Sequence, residues 1–512
     1  MSAAPSQTAA WRLDLANEEA TRELADVVAS FVGAGDLVTL SGDLGVGKTA
    51  FARALIRRIV GDPALEAPSP TFTLMQVYEG PDFPIVHADF YRISGPDELV
   101  ELGWDEVTES ALALVEWADR AGDSLPADRL DISFAIPPTS DEARIVEIVG
   151  YGALVARVAR AKGVTEIMRN SGWSDARRTF MLGDASTRAY ERLQKATGEK
   201  AILMISPPRP DGPPVRFGKS YSAIARLAEN IRPFVAMDRA LRAESLSAPE
   251  IYDADLESGF AILEDLGSEG VVDAAGPIRE RYAAALDVLA FLHGRTLPEI
   301  VPVGDGTNYR IPPYDLDALL IEIELLADWY APHIGGAPLS SGQRATFVNL
   351  WRQTALEIAN AAPTWTLRDY HSPNLIWLNE RDSLARVGVI DFQDCVMGHP
   401  AYDVASLLQD ARVDVPDEME LRLLGHYAQL RRAAAVDFDM AAFARAYAIL
   451  GAQRATKILG IFARLDKRDG KPHYLAHLPR ITRYLRKNLA HPALILLREW
   501  HVANLPHLVE GA

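Results

Sequence analysis

The sequence predicts two unlike domains in series, an α/β domain followed by a larger α+β domain of two lobes. Three observations predict this. The 512 residues suffice for two to four domains at roughly 100–200 residues each. Residues 36–151 alternate short apolar strand-like runs with a helix-period segment, the pattern of an α/β domain. Beyond residue 173 strand-like runs come first, and helical patterns dominate from residue 277, the segregated order of an α+β domain. The chain is 48% hydrophobic and 24% charged, ordinary values for a protein with a packed core.

Within the first domain, DLVTL (36–40) reads as a strand and TAFARALIRRIV (49–60) as an amphipathic helix. TFTLMQVYEG, PIVHADFYRI, ALALVEW, RLDISFAI and ARIVEIVGYG follow as strands, with a turn at 137–142 before the last. Between the first strand and the helix lies SGDLGVGKTAF, in which Gly42, Gly47, Lys48 and Thr49 meet the pattern G-x4-G-K-[ST] and Gly45 adds a further glycine. Glycines let backbone N–H groups wrap phosphate oxygens, and a helix N-terminus favours the negative charge. Lys48 would neutralise the outer phosphates of ATP, and the Thr49 hydroxyl would ligate Mg2+. This makes the first domain an α/β P-loop NTPase domain. Asp89 and Glu116 each end a strand-like run, and both converge on the loop if those strands are parallel neighbours. His87 reads as a packing residue, because one His without partners makes a poor metal site.

The net charge of −18 is uneven: residues 1–152 hold 26 acidic and 10 basic side chains, the rest 44 and 42. An acidic first domain repels a phosphate backbone, so any service to nucleic acid would run through a partner. The single cysteine, Cys395, rules out an internal disulfide framework and reads as a packing residue. MSAAPSQTAAWRLDL lacks the basic start and apolar core of a secretory signal. No apolar run reaches the ~18 residues of a membrane span. The expectation is a soluble, cytoplasmic protein with no membrane partner.

Residues 10–150 resemble the TsaE family, the small ATPases of tRNA threonylcarbamoyladenosine synthesis, through SGDLGVGKTAFARALI, SPTFTLMQVYEG, HADFYRI, ELGWDE and LVEWADRAGDSLPADRLDI. The resemblance implies that Asp89 takes a metal-side role and that Glu116, as a catalytic group, and Trp117 belong to the ATPase site. It implies a switch-like role for SPTFT (69–73). It implies as partners the proteins of the tRNA threonylcarbamoyltransferase complex, with tRNA met only through them.

Residues 153–170 read as a helix, placing a linker at 153–172 between domains at 1–152 and 173–512. The second domain opens with strands in TFMLGDASTRAYERLQKA and KAILMIS, followed by a proline-rich loop at 207–218. A long helical pattern covers 220–244, and 249–267 reads as a hairpin. In LRDYHSPNLIW, Asp369 and Asn374 stand five apart, and Asp391 follows seventeen residues later in VGVIDFQD. That is the spacing of a kinase catalytic loop and metal-binding strand. Asp369 would be the base toward the acceptor hydroxyl, with Asn374 and Asp391 on Mg2+ against the ATP phosphates. His473 and His477 share a helix face but lack the third ligand of a zinc site.

Residues 177–410 resemble the aminoglycoside-phosphotransferase-like kinases, a protein-kinase-like two-lobed fold. Within that group they are most similar to the kinases of N-acetylmuramate and N-acetylglucosamine. GDASTRAYERL, ILMISPP, FAILEDLG, RDYHSPNL and VGVIDFQDCVMGHPAYDVASLLQDAR carry the likeness. It implies that GDAST, with Gly183, Asp184, Ser186 and Thr187, covers the phosphates. It implies that ILEDLG (262–267) is the hinge between lobes of about 173–268 and 269–512, with Glu264 and Leu266 offering backbone groups to adenine. It implies an amino-sugar substrate, and it puts Asp394 near the acceptor. Leu367 stands where many relatives have His. Met204 stands where a lysine should grip the α- and β-phosphates, with Lys200 and Lys219 flanking. The expected protein is thus a fusion of an ATPase and a cell-wall-recycling sugar kinase. The alternatives are a kinase half acting on an aminoglycoside, choline or another small alcohol, a pseudokinase scaffold for the tRNA-modifying complex, or a P-loop domain that is itself a small-molecule kinase.

Overall fold

The computed structural model describes residues 8–95, 97–138, 140–181, 188–209 and 212–510. The chain divides into two units, Met1–Ser174 and Asp175–Ala512. The first unit runs β1 (Thr8–Leu15), α1 (Glu18–Ala29), β2 (Leu37–Ser41), α2 (Lys48–Val60), β3 (Met75–Tyr78), β4 (Ile85–Asp89), α3 (Asp97–Glu101), α4 (Trp104–Thr108), β5 (Leu112–Glu116), β6 (Leu130–Ala135), β7 (Arg144–Tyr151) and α5 (Leu154–Asn170). Its sheet has the order β1-β7-β6-β2-β5-β4-β3. Strands β6, β2, β5 and β4 are mutually parallel. They can be central because β4 and β5 are buried along their whole length, covered on both faces as parallel strands must be. Parallel register sets Asp89 opposite Glu116 and Glu116 opposite Leu40 at one edge of the sheet.

Strand β1 and helix α1 are additions to the sequence reading. Asn17 caps α1 by accepting a hydrogen bond from Ala20 N at 3.0 Å, and Glu18 and Glu19 fill its acidic first turn. Helix α5 packs on β1 and β7, sinking Leu154 and Val158 into the core of the first unit.

The second unit starts with β8 (Arg177–Met181), β9 (Ala189–Gln194), β10 (Lys200–Ile205), β11 (Pro214–Arg216), β12 (Lys219–Ser220), α6 (Tyr221–Ala225), α7 (Arg232–Ala243), β13 (Ile251–Asp255) and β14 (Phe260–Glu264). Strands β13-β14-β10-β9-β8 form an antiparallel sheet. The unbroken helix expected over 220–244 is instead two helices. Arg226 turns the chain with φ 60°, Asn230 accepts from Arg232 N at 3.0 Å, and Pro233 has no N–H to continue a helix from before it.

There follow β15 (Val272–Asp273), β16 (Gly276–Pro277), α8 (Arg279–His293), β17 (Ile300–Pro302), β18 (Asn308–Arg310), α9 (Leu316–Leu325), α10 (Ala331–His333), α11 (Ser341–Ala359), β19 (Thr364–Thr366), β20 (Leu375–Trp377), β21 (Val387–Val389), β22 (Val396–Gly398), α12 (Ala401–Leu408), α13 (Asp417–Ala434), α14 (Met440–Lys467), α15 (Leu478–Leu489) and α16 (Ile495–Asn504). The catalytic-loop sequence lies between β19 and β20, two short strands held by β22 and β21. Helices α9, α12 and α14 pack together beneath it. Among the described residues no helix is long and apolar enough to cross a membrane.

Asp238 on α7 is 1% exposed, and neither carboxyl oxygen has a hydrogen-bond partner among the described residues. Burial pushes its pKa up to about 8; Arg242 and Arg239 oppose the rise, while Glu264 and Glu250 add to it. A carboxyl raised in the folded state contributes stability that is full below its ordinary value of 3.8 and is lost as pH climbs through about 8. Asp238→Asn, uncharged throughout, is therefore expected to exceed wild type at about pH 9 by on the order of a few kcal/mol. Urea unfolding followed by tryptophan fluorescence at about pH 6 and about pH 9 checks this; parallel pH dependence in the two proteins would contradict it.

Candidate active sites

In the first unit the glycine-rich loop joins β2 to α2 with Gly42, Gly45 and Gly47 at φ 125°, 78° and 114°. At Gly42 a Cβ would meet Phe134 O at 2.3 Å, so the loop's approach to β6 demands glycine. Gly47 caps α2 with no side-chain hydrogen bond, which leaves the first-turn N–H groups for anionic oxygens. Lys48 is 4% exposed and donates to Gly42 O at 2.7 Å and Asp43 O at 3.0 Å. Its ammonium sits 4.0 Å from the centre of the Trp117 ring. Burial lowers the Lys48 pKa, while Glu116 and Asp89 pull it back. This cradle fits a nucleotide's phosphates.

The strand-end carboxylates converge beside it. Thr49 Oγ1 donates to Glu116 at 2.9 and 3.0 Å to the two oxygens. Asp89 Oδ2 accepts from Ser69 Oγ at 2.6 Å and Thr71 Oγ1 at 2.7 Å, tying the SPTFT segment to the site. The Thr49 hydroxyl with the Asp89 carboxylate, in register with Glu116, is a donor set suited to a hard divalent cation. His87 is more than packing. It is fully buried, and its Nε2 lies 3.0 Å from Glu116 Oε1. The signal was in the sequence: His87 and Asp89, two apart on one strand, share a face.

In the second unit Asp369, Asn374 and Asp391 meet. Asn374 Nδ2 donates to Asp369 O at 2.9 Å and reaches Asp391 Oδ2 at 3.4 Å. Gln393 donates to Asp391 Oδ1 at 2.8 Å. Asp391 adopts φ 60°, a left-handed backbone that costs a non-glycine residue and clusters at functional sites. Burial, reinforced by Asp369, pushes the Asp391 pKa up to about 6, against the pull of Arg188. Burial would raise Asp369 too, but His371, Lys457, Arg454 and Arg368 hold it below its ordinary value. The half-buried Asp369 and Asp391 carboxyls, beside the Asn374 side-chain amide, fit a divalent cation.

The loop bearing Asp369 is anchored from below. Asp403 on α12 accepts from Leu367 N at 2.6 Å and Arg368 N at 2.9 Å. Leu367 is itself 1% exposed in the core. Arg368, also 1% exposed, pairs with Glu322 of α9, which Lys457 of α14 joins at 2.8 Å.

Met204 is fully buried among apolar side chains, facing Tyr190 across β9 and β10. Lys200 and Lys219 are exposed. The cation beside Asp391 is Arg188, whose Nη1 lies 3.4 Å from Asp391 Oδ1. It immediately follows GDAST, so adjacency to a phosphate-loop sequence was its only mark. Gly183, Asp184, Ser186 and Thr187 lie outside the described residues. Glu264 ends β14 and pairs with Arg381, and Glu264 N donates to Glu250 O at 2.8 Å. Leu266 lies against the β21 backbone at Gly388. Asp394 accepts from Ala228 N at 2.7 Å, which ties it to the α6–α7 loop. Cys395 is fully buried, and burial pushes its thiol pKa up. His473 lies against Tyr474 and His477 against Phe462. Among the described residues there is no group of three or more His, Cys, Asp or Glu arranged to hold a metal ion.

Comparison with known proteins finds a match for each unit. Residues 15–145 match the model of the threonylcarbamoyl adenosine biosynthesis protein TsaE, and residues 178–436 match that of the phosphotransferase enzyme family. The chain is 39% identical to an N-acetylmuramate/N-acetylglucosamine kinase of Caulobacter vibrioides, over 66% of this chain and 94% of that protein. It is 34% identical to a protein of the same name from Pseudomonas putida, over 63% of this chain and 88% of that protein. It is 37% identical to the tRNA threonylcarbamoyladenosine biosynthesis protein TsaE of Rickettsia bellii, over 26% of this chain and 91% of that protein. The chain thus belongs to the TsaE family through its first unit and to the phosphotransferase enzyme family, as an ATP-using kinase, through its second.

Proposed function

We propose that the protein is bifunctional. Its first unit is an ATPase that serves tRNA threonylcarbamoyladenosine modification through the proteins of the threonylcarbamoyltransferase complex. Its second unit phosphorylates the anomeric hydroxyl of N-acetylmuramate and N-acetylglucosamine. The observation that carries the kinase reading is that the Asn374 side chain bonds the backbone oxygen of Asp369 and reaches the Asp391 carboxylate, which brings the three residues together. The acidity of residues 1–152 supports contact with tRNA only through protein partners.

In the kinase site Asp369, held ionised by the cations around it, orients the sugar hydroxyl and takes its proton on a carboxylate oxygen. Asn374 and Asp391 would hold Mg2+, which neutralises charge on the phosphoryl group when bound. Arg188 supplies the positive charge that Met204 does not. In the ATPase site Lys48 and the loop N–H groups hold phosphates, and Thr49 and Asp89 would hold Mg2+. His87 fixes the Glu116 carboxylate that positions water. A non-catalytic reading of the second unit is favoured by Met204 alone, and it predicts no sugar phosphate at all.

Purified protein given ATP and each sugar separates the sites. Asp369→Ala is expected to abolish sugar phosphate while ATP hydrolysis persists, and Lys48→Ala to do the reverse. Both changes striking the same activity would refute the two-site reading. Arg188→Ala is expected to raise KM for ATP in sugar phosphorylation by roughly tenfold or more, the worth of one charge-assisted contact. An unchanged KM would remove Arg188 from the phosphate site.

A further inference from the structure

Burial would raise the Asp369 pKa, but four neighbouring side chains hold it down: His371, Lys457, Arg454 and Arg368. Lys457 and Arg368 are engaged with Glu322. Arg368 also donates to Ala225 O at 2.9 Å. Arg454 differs. It lies on α14, one turn before Lys457, and is 5% exposed. Its Nε is sealed from solvent without an acceptor. Its guanidinium makes no hydrogen bond or ion pair with any described residue. The nearby Asp403 carboxyl, which it also influences, has its two oxygens occupied by Leu367 N and Arg368 N.

A buried guanidinium left unpaired is costly, and breaking its pairing is among the larger penalties in protein interiors. Its fork of donors matches a carboxylate in two parallel hydrogen bonds. Arg454 stands within electrostatic reach of the base yet does not touch it, so an acceptor with its reacting hydroxyl on Asp369 could extend an anionic group to Arg454. Of the two sugars in the proposed function, N-acetylmuramate carries a carboxylate, on a lactyl ether two ring carbons from the anomeric carbon. N-acetylglucosamine carries none.

We propose that Arg454 is a specificity-determining residue that binds the acceptor's carboxylate and so favours N-acetylmuramate over N-acetylglucosamine. This rests on the amino-sugar kinase reading of the second unit. Lys457 is not equivalent, because Glu322 already takes its charge.

The test measures kcat/KM for both sugars with the full chain, as wild type, Arg454→Met and Arg454→Lys. In Arg454→Met the ratio of kcat/KM for N-acetylmuramate to that for N-acetylglucosamine is expected to fall roughly 10–100-fold, mainly through KM. Arg454→Lys, which keeps the charge and loses the fork, is expected to recover part of it. The methyl ester of N-acetylmuramate, given to wild type, is expected to lose the same advantage with no change to the protein. An unchanged ratio in Arg454→Met, or an ester used as well as the acid, would overturn the proposal. So would equal loss toward both sugars, which would mean that Arg454 acts through Asp369. Wild type phosphorylating neither sugar would instead overturn the kinase reading, and this inference with it.

Discussion

Carboxylates forced together against their own repulsion are the constraint on which both sites are built. Adjacent strands lie about 5 Å apart, and two unit charges at that distance repel by ~3 kcal/mol at an effective dielectric of about 20. The first unit accepts this between Asp89 and Glu116, in register on neighbouring strands. The second accepts it between Asp369 and Asp391, where burial, reinforced by the Asp369 charge, lifts Asp391 to a pKa of about 6. Such pairs persist only where cations compensate. Each site has an internal one: Lys48 beside Glu116 and Asp89, Arg188 beside Asp391.

The surrounding fold serves to hold these charges. In the first unit the parallel register sets the acids, and the left-handed glycines bring the loop to them. Ser69 and Thr71 lock Asp89, which ties the SPTFT segment to that carboxylate. In the second unit no sheet aligns the acids. Asp403 pins the backbone under Asp369, and Glu322 gathers Arg368 and Lys457 below it. The same chemistry is thus supported once by strand pairing and once by a buried ionic network.

The sequence made the local parts legible. Gly42, Gly47, Lys48 and Thr49 declare themselves by spacing, as do Asp369, Asn374 and Asp391, because phosphate and metal fix distances along the chain. Strand β1 and the break between α6 and α7 were not legible. The first lies outside any motif, and in the second the turn at Arg226 and Asn230 sits within an unbroken helical period. Arg188 and Asp403 escaped for one reason. Each acts on a partner distant in sequence, and only folding brings the two together.

The proposed function requires two independent pockets for magnesium–ATP on one chain. Its most direct test is the stoichiometry of a non-hydrolysable ATP analogue at saturation with Mg2+, read by calorimetry. The account predicts two equivalents per chain in wild type and one in either Lys48→Ala or Asp391→Asn. A single equivalent in wild type, or loss of both in one variant, would contradict it.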